Sequence, residues 1–64
     1  MDARLEQFIG MSLNDEIEEE IKIIGNFSSS RILFPDSIIT MDYRPDRVNI
    51  HINYNYIITN ISIG

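Results

Sequence analysis

Sixty-four residues fit a single domain, residues 1–64, and the absence of cysteine removes the disulfides that usually support so small a fold. A formal net charge of −5, with five scattered basic residues, argues against a nucleic-acid-binding patch. No apolar run approaches the roughly 20 residues of a membrane span, so no membrane partner is expected. A chain of this length buries only about 60% of its unfolded surface, and its stability has to come from packing. Fourteen isoleucines are the material for it, and β-branched side chains favour strands. Lack of Cys suits the cytosol and does not exclude secretion. The segment Met1-Asp2-Ala3-Arg4-Leu5-Glu6 carries no signal-peptide hydrophobic region. The chain is expected to be cytoplasmic or to leave by a non-classical route, unless it is a processed form.

Residues 1–11 read as a short arm whose Leu5, Phe8 and Ile9 fold back on the core, with a turn at Gly10. Ser12 is an N-cap candidate, and Asp15 three residues later makes a weak capping box. Asp15, Glu16 and Glu18 place negative charge at the positive end of the helix dipole. Leu13, Ile17, Ile21 and Ile24 recur at spacings of four, four and three, which is one apolar stripe. With Gly25 as the stop, the spacing predicts a helix over 13–24. Glu18 and Lys22 form a supportive i,i+4 pair. The acidic group Glu16, Glu18, Glu19 and Glu20 reads as a solvated helix face.

After a polar connector over 26–30, Arg31-Ile32-Leu33-Phe34 reads as a short strand buried on both sides. Arg47 to Asn53 alternates, with Val48, Ile50 and Ile52 on one face and Arg47, Asn49, His51 and Asn53 on the other. Turn-tolerant Asn53 and Asn55 precede a final edge strand over 57–63. The first and central strands are far enough apart in sequence for a parallel crossover, and the last two form a hairpin. The fold class is α+β, one helix packed on a small mixed β-sheet.

Between the first two strands lies a loop over about 35–46. Pro35 and Pro45 fix φ near −65° at its two ends and push the preceding residues toward extended geometry. Within it Met41 is a single unbranched apolar residue among polar and charged neighbours. An extended, stiffened loop presenting one apolar side chain suits another protein's cleft; the plainer alternative is a loop Met folded into the core. Thr40 and Asp42 flank Met41 and accept hydrogen bonds. Arg47 donates in a planar fork and is placed to brace both from the start of the central strand, or else belongs to an exposed strand face with Asn49.

The string Thr40-Met41-Asp42-Tyr43-Arg44, followed by Asp46-Arg47-Val48, resembles the protease-binding loop of potato inhibitor I proteins. Extended to Ile50, it more closely resembles the fungal and bacterial elastase inhibitors, peptidase inhibitor family seventy-eight. Ile9-Gly10 and Ile61-Ser62-Ile63-Gly64 fit in order and spacing. The resemblance implies a potato inhibitor I-like fold and a substrate-like, standard-mechanism inhibitor of serine proteases. It makes Met41–Asp42 the reactive bond, and the catalytic groups belong to the target. Ile39, Thr40, Tyr43 and Arg44 then contact the protease, and Thr40, Asp42, Arg47 and Asn49 hold the loop. Met41 suits the S1 pockets of subtilisin-, elastase- and chymotrypsin-like enzymes, while a trypsin-like acidic pocket is a poor match.

Potato inhibitor I proteins carry a second arginine two residues after Arg47, where this chain has Asn49, as in the fungal and bacterial family. Two departures from that family stand out. It often has a cysteine next to the terminal glycine, where this chain has Ile63 and no partner cysteine. The fungal and bacterial family has a turn glycine where this chain has Tyr56, so the turn is expected to shift to Asn55, because a non-glycine residue at positive φ is unfavourable. His51, the only histidine, has no cysteine or carboxylate at ligand spacing and reads as an exposed strand residue. No metal, cofactor or enzymatic activity is expected, and the inhibitor is expected to be a monomer. The alternative is a non-inhibitory interaction module that binds through a sheet edge or the acidic helix.

Overall fold

The computed structural model describes residues 3–39 and 42–64. Two helices, α1 (Ala3–Glu6) and α2 (Asp15–Gly25), precede three strands, β1 (Ser29–Leu33), β2 (Arg47–Ile52) and β3 (Ile58–Ile63). The strands form one sheet in the order β1-β2-β3. β1 runs parallel to β2 with Arg31 opposite Asn49, and β3 runs antiparallel to β2 with Ile50 opposite Ile61. This is the expected α+β class and strand topology, with a second, one-turn helix in the arm.

Alternation along β2 sends Val48, Ile50 and Ile52 to the helix side, where all three are buried. They pack with Leu5, Phe8, Ile21, Ile58 and Ile61 into one core, and Leu13, Ile17 and Ile24 lean against it. The arm therefore folds back through Leu5 and Phe8, whereas Ile9 stays exposed. Gly10 sits at φ +94°, a backbone state glycine reaches without Cβ strain.

Helix α2 begins later than the spacing predicts. Asn14, not Ser12, is the N-cap, and its side-chain oxygen accepts from the Ile17 N–H at 2.8 Å. Asn and Ser cap almost equally well, so tertiary pairing decides. Ser12 bridges Ile57, with the Leu13 N–H donating to the Tyr56 carbonyl and the Ile58 N–H to that of Met11. That pairing holds Ser12 extended. The left-handed C-terminal residue is Asn26, at φ 55°, rather than Gly25. Its N–H and that of Phe27 close onto Ile23 and Lys22. Gly25 is needed for another reason: a Cβ there would lie 2.1 Å from the Phe27 ring.

Lys22 pairs with Glu19 at 3.3 Å instead of Glu18. Glu18 accepts a 2.5 Å hydrogen bond from the Ser30 hydroxyl on β1. Strand β1 is half-buried over Ser29–Ile32 rather than covered on both sides; only Leu33 is fully buried. Its Ser30 faces the helix, and its Arg31 faces the other way.

The β2–β3 turn does not shift to Asn55. Tyr56 itself takes φ 61°, at a cost of about 1–2 kcal/mol. The Asn53 side-chain oxygen accepts from the N–H groups of both Asn55 and Ile57, and the Asn53 carbonyl from Tyr56. The Phe34 ring stacks on Tyr54 and meets Tyr56 edge-on, with centroids 5.8 and 5.7 Å away. These contacts over-determine the turn and offset the strain.

Candidate functional site

The segment between β1 and β2 is described at 34–39 and 42–46, and residues from both parts border the sheet face that carries Arg31, Asn49 and His51. Its described residues carry no helix or strand. On the entering side, Phe34 and Ser37 tie a short turn: the Phe34 N–H donates to the Ser37 hydroxyl at 2.9 Å, and the Ser37 N–H to the Phe34 carbonyl at 3.0 Å. Ile38 follows, 90% exposed, and Ile39 is exposed after it. Thr40 and Met41 lie outside the described residues.

On the leaving side, Asp42, Tyr43 and Arg44 are exposed. The Arg47 N–H donates to the Arg44 carbonyl at 3.1 Å and closes the turn around Pro45. Arg44 and Asp46 approach to 3.8 Å. Asp46 is not merely solvated: its carboxylate accepts from the Ser28 hydroxyl, and its carbonyl from the Ser28 N–H. The Ser28 hydrogen bond is the main cause that lowers the Asp46 pKa below its ordinary value. The end of the loop is thereby pinned to the start of β1.

Arg47 is the centre of this face. Its side chain is 12% exposed and runs along the sheet. Its Nε donates to the Gly64 carbonyl at 2.8 Å, its Nη2 to the Asp42 carbonyl at 2.8 Å, and its Nη1 lies 3.5 Å from the Asp42 carboxylate. Gly64 is itself fixed, since its N–H donates to the Arg47 carbonyl. A Cβ on Gly64 would come within 3.1 Å of the Tyr43 ring, so the missing side chain leaves room for Tyr43. Arg47 thus contacts Asp42; the contact expected with Thr40 falls outside the described residues.

Asn49 is buried, which removes the alternative of an exposed strand face. Its side-chain oxygen accepts from Arg31 Nε at 3.0 Å, so that bond joins it to the neighbouring strand. Arg31 Nη1 in turn lies 3.9 Å from the second carboxylate oxygen of Asp42. Sequence reasoning missed Arg31, since only the parallel register, Arg31 opposite Asn49, shows that it faces the loop.

His51 is half-buried rather than exposed, with Nε2 3.0 Å from the Ser62 hydroxyl. Burial, and after it the charge of Arg31, holds its pKa below the ordinary value. Among the described residues no group of His, Asp or Glu is arranged to hold a metal ion, and no helix is long and apolar enough to cross a membrane.

The described residues on the two sides, 38–39 and 42–46, are exposed, and the Arg47 side chain is aimed at main-chain carbonyls rather than into a catalytic cleft. A comparison with curated proteins finds no match. Among solved structures, the chain is similar to one described as the structure of elastase inhibitor AFUEI. The two are 27% identical with a TM-score of 0.78, over 92% of this chain and 81% of that one. The profile of the peptidase inhibitor I78 family matches residues 2–64. An inhibitor lends no catalytic groups of its own, which fits a site made of anchors; the chain belongs to the peptidase inhibitor I78 family.

Proposed function

We propose that the chain inhibits serine proteases in a substrate-like way, through the loop over 35–46, with Met41–Asp42 as the reactive bond. Met41 occupies the S1 pocket of an elastase-, subtilisin- or chymotrypsin-like enzyme. Ile39, Thr40, Tyr43 and Arg44 line the enzyme's cleft. Thr40, Asp42, Arg47 and Asn49 hold the loop, with Asn49 standing where potato inhibitor I proteins have an arginine. The likeness to an elastase inhibitor supports an elastase-like target.

The observation that carries this reading is the hold of Arg47 on the main-chain carbonyl of Asp42. A loop fixed beside the reactive bond loses little further conformational entropy on binding. After any cut, the new terminus at Asp42 stays where resynthesis can occur. The enzyme is therefore occupied without productive turnover.

The test is Met41→Asp. Inhibition of pancreatic elastase and subtilisin is expected to be lost, with the urea midpoint unchanged. Retained inhibition by a folded variant would show that the interaction uses another surface, such as the sheet edge or the acidic helix.

A further inference from the structure

We propose that Arg31 is a positioning residue for the loop, and that it supplies from β1 the second cation that a β2 arginine at position 49 would supply. This inference rests on the proposed inhibitory role of the loop.

Arg31 and Asn49 are register partners in a parallel pair, so both side chains leave the sheet on the loop side. The Arg31 side chain is 21% exposed. Its Nε is committed to Asn49, which sets the plane of the guanidinium. Nη1 is then left 3.9 Å from Asp42 Oδ1, while Arg47 holds Oδ2 at 3.5 Å. The two oxygens of one carboxylate therefore face two arginines from two strands. Asn49 acts as the orienting group for Arg31.

Space beside this pair supports the exchange of roles. A cavity of about 190 Å³ lies between loop and sheet, bordered by Arg31, Ile39, Asp42, Tyr43, Asn49 and Gly64. Asn49 and Asp42 both border this space, so a longer side chain at position 49 has room to extend toward Asp42. The cation can come from either strand, provided one of the two register partners carries it.

The consequence is that loop stiffness depends on β1–β2 pairing as well as on β2 alone. An exposed ion pair contributes about 0.2–1 kcal/mol, which corresponds to roughly a 1.4- to 5-fold effect. The effect expected of Arg31 lies in that range and is carried by charge, so it weakens with salt.

The experiment compares parent, Arg31→Met, Arg31→Lys and the double variant Arg31→Met/Asn49→Arg. Each is incubated with catalytic amounts of pancreatic elastase, and cleavage at Met41–Asp42 is followed by mass spectrometry at low and high salt. Urea midpoints are recorded alongside. Arg31→Met is expected to be cut about 2- to 5-fold faster than parent at low salt, with the ratio falling toward one at high salt. Arg31→Lys, which keeps the charge but loses the fork, is expected to lie between. The double variant is expected to return to the parental rate. A purely structural role for Arg31 would not give rescue by a charge placed on the other strand. If the parent inhibits but Arg31→Met is cut no faster, or the double variant stays as labile as Arg31→Met, the role of Arg31 is overturned and the inhibitory reading stands. If the parent itself fails to inhibit and is digested freely, the inhibitory reading falls and this one with it.

Discussion

Arg47 grips Asp42 twice, once by its main-chain carbonyl at 2.8 Å and once by its carboxylate at 3.5 Å. The two grips are unequal. The Asp42 side chain is 59% exposed, so the ion pair is screened and contributes about 0.2–1 kcal/mol. The carbonyl contact is a charge-assisted hydrogen bond from a nearly buried arginine, in the range of about 1.5–3 kcal/mol. The position of the backbone next to the proposed reactive bond therefore depends more on the carbonyl contact than on the carboxylate.

Arg47→Ala removes that contact and the one to Gly64. Cleavage at Met41–Asp42 is expected to accelerate by about tenfold or more, since about 1.4 kcal/mol corresponds to a factor of ten. Inhibition weakens in parallel. A time course by mass spectrometry checks this, and parental resistance in the variant would dismiss the bracing role.

Ile38 is the most exposed isoleucine on the loop, and it follows the turn pinned by Phe34 and Ser37. Nothing in the fold needs its side chain. Ile38→Ser is expected to leave the denaturation midpoint within about 0.5 kcal/mol of parent. Burying an isoleucine against an enzyme is worth about 1.5–3 kcal/mol, so the inhibition constant is expected to rise about 10- to 100-fold. An unchanged constant would place Ile38 outside the contact.

The left-handed Tyr56 offers a test of turn strain. Tyr56→Gly relieves about 1–2 kcal/mol but loses a ring contact worth about 0.5–1.5 kcal/mol, so the net change is expected to stay within about 1 kcal/mol. Tyr56→Val keeps the strain and loses the ring. It is expected to destabilise by about 1–3 kcal/mol. Urea denaturation of the two variants separates them, and equal stabilities would mean that positive φ at this position carries little cost.

His51 gives a pH dependence with a definite sign. Burial keeps its folded pKa below the ordinary 6.5, so the folded state prefers the neutral ring. On acidification the unfolded chain takes up the proton first. The His51 contribution is complete above about pH 6.5 and is lost as pH falls from there toward the lowered folded value. Asp46 acts at more acid pH: its lowered pKa gives a contribution present above its ordinary 3.8 and lost below it. His51→Gln is expected to flatten the change in urea midpoint between about pH 7.5 and pH 5. A loss equal to the parent's would assign that window to other groups.

Much of this fold was legible from local pattern. Val48, Ile50 and Ile52 alternate, and Ile17, Ile21 and Ile24 form a stripe, because helix and strand periods are written one residue at a time. The strand order followed from the lengths of the connections. What was not legible depends on register. Ser12 and Asn14 are equivalent caps until the arm pairs with Ile57 and Ile58. Tyr56 is misplaced by local rules because Asn53 and the Phe34 ring, which hold it, act across the turn and across the sheet. The contact between Arg47 and Asp42, five residues apart, was visible. Arg31 was not, since its proximity to Asp42 exists only once β1 lies parallel to β2 with Arg31 opposite Asn49.

The most direct test is titration of the pure protein against pancreatic elastase, subtilisin, chymotrypsin and trypsin, with mass spectrometry of each mixture. Stoichiometric inhibition of one or more of the first three but not of trypsin, with any slow cut confined to Met41–Asp42, is the predicted result. Rapid digestion without inhibition, or a stable complex cut elsewhere, would contradict the assignment of the loop and its reactive bond.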